Sequence, residues 1–125
     1  MKDKNLFEHI DKAVRSERLY ADGELKREAI HKRFRISRHL LNDLLRERVG
    51  MTFPQYINSI RMEEACELVL HHRELSINEI AERVGLKAPN MRVLFKQMYG
   101  VTPMDYRQHR HVKEWLQHGN GYQIH

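Results

Sequence analysis

The chain has one cysteine, three prolines and one tryptophan in 125 residues. The lone Cys66 excludes an internal disulfide and a multi-cysteine zinc site; it fits a reducing compartment as a small buried apolar residue. No apolar run approaches the roughly 20 residues that span a bilayer. The N-terminus, Met1-Lys-Asp-Lys-Asn5, leads into an amphipathic stretch and not into the apolar core of a signal peptide. A cytoplasmic location is therefore expected. There is no glycine-rich phosphate loop, no nucleophile motif and no carboxylate dyad, so nothing supports an enzyme. Nine histidines raise the question of a metal. Neither His71-His72 nor the His109/His111 pair shares a helical face as i,i+4 ligands do, and no acid or cysteine stands at ligand spacing. No metal and no cofactor is expected.

What is present is charge and helical periodicity. Hydrophobic residues make up 41% and charged residues 31%, enough for one ordinary domain or two very small ones in a soluble protein. The net charge is +5, and its distribution says more than its size. Residues 26–38 carry Lys26, Arg27, Lys32, Arg33, Arg35 and Arg38 against Glu28; residues 63–82 carry six glutamates against Arg73. A polyanion then has a preferred side to approach.

The apolar spacing is helical throughout, and no segment shows the period of a strand. It predicts helices over roughly 4–17, 23–33 (Leu25, Ala29 and Ile30 inward), 38–49, 53–72, 77–84, 89–99 and 103–118. Ser37 is a good N-cap for the third helix, and Gly50 ends it. Thr52 with Gln55, and Ser76 with Glu79, read as capping boxes. The prolines all fall at helix starts: Pro54 in a first turn, Pro89 at a first position, Pro103 opening the last helix. Glu63-Glu64 reads as a solvated face with one carboxylate on Arg61. The expected organisation is an N-terminal helix in 1–20, a first subdomain in 21–51, a linker helix in 52–73, a second subdomain in 74–118 and a tail in 119–125.

Residues 25–56 and 75–106 repeat one pattern at an offset of fifty, without a gap. Leu25 matches Leu75, Ile30 matches Ile80, Leu41 matches Met91, Leu45 matches Phe95, Gly50 matches Gly100, and Tyr56 matches Tyr106. Each copy reads as short helix, tight turn, second helix. The apolar residues sit where a helix-turn-helix needs them: Ile30, Phe34, Ile36, Leu41 and Leu45, then Ile80, Val84, Leu86, Met91 and Phe95. In such a unit the second helix lies in the DNA major groove and its N-terminal residues reach base edges. The intervening helix of about 20 residues spans ~30 Å, close to the ~34–36 Å between successive major-groove faces.

The chain resembles the DNA-binding domain of AraC/XylS-type transcription regulators. The resemblance rests on four stretches. They are Ser37-Arg-His-Leu-Leu-Asn-Asp-Leu-Leu-Arg46, Gly50-Met-Thr-Phe-Pro-Gln-Tyr-Ile-Asn-Ser-Ile-Arg-Met-Glu-Glu-Ala65, Leu75-Ser-Ile-Asn-Glu-Ile-Ala-Glu-Arg-Val-Gly-Leu86, and Leu94 through Arg107. The resemblance covers about residues 20–110, most of the chain. The resemblance implies an all-α fold of seven helices, with two helix-turn-helix subdomains joined by a long linker helix, in a homeodomain-like arrangement. It also implies a sequence-specific regulator of transcription bound to double-stranded DNA. Because the outward positions of the two recognition helices differ, a monomer on an asymmetric site, with both helices in adjacent major grooves, is expected. RNA polymerase, or a sensory or dimerisation region, is the implied protein partner, with no membrane contact.

Site residues follow from the resemblance position by position. In the first recognition helix Arg38, His39, Asn42 and Asp43 are the implied base readers. Asn42 suits adenine, and Arg38 and His39 suit guanine or phosphate. Asp43 either accepts from cytosine N4, or repels phosphate and pairs with Arg46 or Arg35. In the second, Asn90 and Arg92 are the equivalents, Arg92 being the guanine reader, and Val93 offers apolar contact to a thymine methyl. Ser37, Arg46, Lys87 and Lys96 are implied phosphate contacts. Some residues depart from the family pattern. The second turn, Gly85-Leu-Lys-Ala-Pro89, is one residue short, His31 stands at a usual alanine, and Arg35 replaces a turn glycine. A second head that reads little sequence is thus one alternative. A helical protein-docking module, using the acidic stretch 63–82 or the last helix with Tyr106, Trp115 and Leu116, is another.

Overall fold

The computed structural model describes residues 5–108. Among them are seven α-helices, one short 3-10 turn at Leu19–Ala21, and no strand. The helices are α1 (Leu6–Ser16), α2 (Arg27–Arg33), α3 (Arg38–Val49), α4 (Phe53–His71), α5 (Ile77–Arg83), α6 (Ala88–Tyr99) and α7 (Pro103–Gln108). None of these is long and apolar enough to cross a membrane. The expected last helix beyond residue 108, the tail, Trp115, Leu116 and the His109/His111 pair lie outside the described residues.

The chain forms two compact units that divide between Arg61 and Met62, within α4. In the first, Ile10 and Val14 of α1 meet Ile30, Leu41 and Leu45, with Phe53, Tyr56, Ile57 and Ile60 from the start of α4. Each such side chain contributes roughly 1.5–3 kcal/mol when fully removed from water. Polar clasps tie α1 to the same unit. Glu8 pairs with Arg48, Glu17 holds Arg33 through two bonds of 2.5 and 2.6 Å, and the Tyr56 hydroxyl donates to Asp11 at 2.5 Å. Arg61 is buried, and its guanidinium donates to the carbonyls of Tyr20 (2.7 Å) and Asp22 (2.9 Å) and to Asn58 (3.1 Å). The sequence suggested a glutamate partner for it. Its backbone partners are instead the carbonyls of the segment leading into α2.

In the second unit Met62, Ala65 and Val69 of α4 pack on Ile77, Ile80, Ala81, Val84, Met91 and Phe95. Phe95 lies 4.7 Å from the Tyr99 ring and 5.3 Å from the Tyr106 ring. Burial pushes the pKa of the Tyr99 phenol up to about 12 and that of the Tyr106 phenol up as well. Arg107 is buried like Arg61, and donates to the carbonyls of Val69 (2.9 Å), Leu75 (2.7 Å), His72 (3.2 Å) and Leu68 (3.5 Å). Leu68 and Val69 lie in the last turn of α4 and His72 just after it; the Leu68 and His72 carbonyls also accept the His72 and Leu75 amides.

The fifty-residue repeat recurs in the backbone hydrogen bonds. Phe34, Arg35 and Ile36 donate to Ile30, Lys32 and His31; Val84, Gly85 and Leu86 donate to Ile80, Glu82 and Ala81. Leu41 donates to Ser37 as Met91 does to Lys87, Gly50 to Arg46 as Gly100 to Lys96, and Tyr56 to Thr52 as Tyr106 to Thr102. Both capping boxes form: Thr52 with Gln55, and Ser76 with Glu79.

Three details differ from the sequence reading. α2 starts at Arg27 and not near residue 23, because Asp22 holds a local turn: its carboxylate accepts from the Glu24 amide and its carbonyl from the Leu25 amide. Ala29, expected inward, is exposed; its counterpart is Glu79. α6 starts at Ala88, so Pro89 is its second residue and not its first. The two turns therefore have equal length within this chain.

Candidate nucleic-acid interface

Each unit presents one helix-turn-helix, α2–α3 in the first and α5–α6 in the second. In α3 the apolar face turns Leu41 and Leu45 into the core. The opposite face leaves Arg38, His39 and Asp43 exposed and Asn42 half-buried. The Ser37 hydroxyl accepts from the Leu40 amide at 3.0 Å, which caps α3 and leaves its own proton to donate to a phosphate. Arg46 donates to Asp43 at 2.5 Å, one turn away on the same helix. Of the two alternatives for Asp43, the free protein shows the pairing with Arg46.

Two concavities flank this face. One, of about 650 Å³, is lined by Lys26, Arg27, His31 and Arg38 with the acidic Glu28 among them, together with Leu25, Phe53 and Pro54. The other, of about 340 Å³, is lined by Arg27, Asn42, Arg46, Thr52 and Gln55. Arg27 belongs to both; the sequence places it in the basic run but not among the expected DNA contacts. The repeat carries a signal: Arg27 stands where the second copy buries Ile77. His31, which replaces a small residue, is half-buried at the rim of the first concavity. The basic run is less open than its composition suggests, since Arg33 is held by Glu17.

In α6 the buried residues are Met91 and Phe95. Asn90, Arg92, Val93 and Lys96 are exposed, Val93 at 57%. A concavity of about 520 Å³ is lined by Arg92, Val93, Lys96, Gln97 and Thr102. Lys87 is the N-cap of α6 and makes no side-chain cap bond. The Arg92 guanidinium donates to the Asn78 side-chain oxygen at 2.9 Å, a bond from α6 across the turn to α5. Asn78 also escaped the sequence reading. The bond spans 14 residues, beyond any local pattern.

Residues 30–109 match the family model described as a helix-turn-helix domain, which takes in both recognition helices. The chain belongs to the AraC/XylS family of DNA-binding transcription regulators. It is 38% identical over 76 residues to the HTH-type transcriptional activator RhaR of Cronobacter sakazakii, covering 60% of this chain and 26% of that protein. It is 34% identical over 92 residues to the HTH-type transcriptional activator RhaS of Escherichia coli, covering 73% of this chain and 32% of that protein. The chain thus spans about a third or less of the curated relatives it matches. Among solved structures it is similar to the C-terminal domain of the two-component response regulator yesN of Fusobacterium nucleatum. That likeness has a TM-score of 0.73 at 30% identity, over 83% of this chain and 99% of that one. Membership in the AraC/XylS family makes residues 30–109 a helix-turn-helix DNA-binding domain of the kind found in transcription regulators.

Proposed function

We propose that the chain reads one asymmetric duplex site as a monomer, with α3 and α6 entering successive major grooves. The observation that carries this reading is the repeat: matching backbone bonds present unlike outward side chains. Asn42 corresponds to Arg92, Asp43 to Val93, and His39 to Pro89.

In the first head Arg38, His39 and Asn42 face base edges, with Asn42 suited to adenine. Asp43 reaches a cytosine N4 only by releasing Arg46. In the second head Arg92 reads guanine, Asn90 lies beside it, and Val93 contacts a thymine methyl. Ser37, Arg46, Lys87 and Lys96 hold phosphates, joined by Arg27 from its place between the two concavities. RNA polymerase, or a sensory or dimerisation region, is the proposed protein partner in a cytoplasmic regulator.

Fluorescence anisotropy with duplex DNA across a salt series tests the reading. Each phosphate neutralised by a cation steepens the log–log salt slope by about 0.9. Lys96→Ala should flatten the slope by about one and weaken target and scrambled duplexes alike. Arg92→Ala should lose ~1–3 kcal/mol of discrimination at one base pair. Equal affinity of wild type and Arg92→Ala for target and scrambled duplexes would overturn specific reading by the second head.

A further inference from the structure

We propose that Asn78 is a positioning residue: it orients the Arg92 guanidinium for guanine from outside the recognition helix. The inference rests on the reading of Arg92 given above. Asn78 is the second residue of α5, and Arg92 lies one turn into α6. Both are exposed, and the 2.9 Å bond between them crosses the helix-turn-helix before any DNA is bound.

The donor count allows both tasks. A guanidinium has five N–H groups in a planar fork. The bond to Asn78 engages one Nη2 hydrogen. The remaining Nη hydrogens still offer the paired donors that guanine O6 and N7 accept. A long side chain fixed in advance loses less conformational freedom when it binds.

The chemistry of the acceptor matters as well. Asn78 is neutral, so it orients Arg92 without cancelling the positive charge. Asp43 does the opposite to Arg46, offering a carboxylate to the cation at 2.5 Å. The first repeat has Glu28 and Asn42 at the positions matching Asn78 and Arg92, so the arrangement belongs to the second head. It also gives that head a way to read sequence in which one member lies outside α6.

The test is anisotropy titration of wild type, Asn78→Ala, Asn78→Asp, Arg92→Ala and the Asn78→Ala/Arg92→Ala double variant. The probes are a duplex selected from a random library by the wild-type chain, its single base-pair variants, and a scrambled duplex. Thermal unfolding of each protein accompanies the titrations. Asn78 is exposed and its side chain takes no part in the Ser76–Glu79 capping box, so the fold should persist.

Asn78→Ala should lower discrimination about three- to tenfold at the same base pair that Arg92→Ala affects, with scrambled-duplex affinity unchanged. In the Arg92→Ala background the same change should do nothing. Asn78→Asp, which keeps the acceptor and adds a negative charge, should weaken binding to every duplex yet retain the discrimination. Additive effects of the two alanine changes, a loss at a different base pair, or an Asn78→Asp variant as indiscriminate as Asn78→Ala would each overturn the positioning role. If Arg92→Ala itself leaves discrimination intact, the reading of Arg92 fails first, and that result is separate from any behaviour of Asn78.

Discussion

The two helix-turn-helices share their backbone bonds and differ in what holds those bonds in place. In the second, Ala81 and Val84 are fully buried, Gly85 turns the chain at φ 86°, and α5 opens with a capping box. In the first, the matching residues are His31 and Phe34, both half-buried, and Arg35, which holds φ 56° with a full side chain. The N-cap of α2 is Lys26, whose side chain makes no cap bond. The first unit adds polar clasps from α1 and its C-terminal flank to Arg33, Arg48 and Tyr56. The Glu17–Arg33 and Glu8–Arg48 pairs are exposed and stabilise weakly, because water and salt screen them. One backbone is thus reached by dense local packing in one copy, and by weaker packing plus peripheral contacts in the other. Hydrogen exchange should accordingly be faster in α2–α3 than in α5–α6.

The largest expected effects come from the buried arginines. Arg107→Ala removes bonds to four carbonyls, of which Leu68 and His72 keep a backbone amide, and should destabilise the second unit by roughly 2–4 kcal/mol in urea unfolding. Arg61→Ala removes fewer carbonyl bonds and should affect the first unit less. A swap at the turns comes next. Gly85→Ala should cost about 1–2 kcal/mol, because φ is positive there, whereas Arg35→Gly should relieve a penalty of that kind and stabilise the first unit by about 1 kcal/mol. No gain from Arg35→Gly would show that its conformation is not strained. Residues held in this region are sometimes retained for function, so duplex affinity of Arg35→Gly should be measured beside its stability.

The caps give a smaller contrast. Ser37→Ala should cost about 1 kcal/mol of stability. Lys87→Ala removes no cap bond, so it should leave thermal stability nearly unchanged while weakening DNA binding. The smallest effect is that of pH. The Arg33 bonds hold the Glu17 carboxyl below its ordinary range, and the bonds with Ser76 do the same for Glu79. Each favours the fold above the unfolded carboxylate value of 4.5, and that contribution is lost as pH falls through the lowered folded value. Glu17→Gln should flatten this acid response in the first unit, and added salt should weaken it in the wild type.

Most of the scaffold was legible in the sequence because its signals are local. Ser37, Thr52, Gln55, Ser76 and Glu79 cap helices within four residues of themselves, and Gly50, Gly85 and Gly100 mark positive φ. The apolar period placed Ile30, Leu41, Leu45, Ile80, Met91 and Phe95 in the two cores. The start of α2 was misread because Asp22-Gly23 signalled a break but not its length. What escaped is contact between distant residues. Arg61 and Arg107 meet carbonyls more than 30 positions away, Glu17 meets Arg33, and Asn78 meets Arg92. The helical period shows neither that Arg61 and Arg107 are buried nor which distant partner an exposed charge finds.

Binding-site selection from random duplexes with the purified chain tests the central claim most directly. The predicted result is one enriched motif with two unlike half-elements about one helical turn apart, bound one chain per duplex. A palindromic motif, a single half-element, or no enrichment over the starting library would contradict reading of an asymmetric site by two heads of one chain.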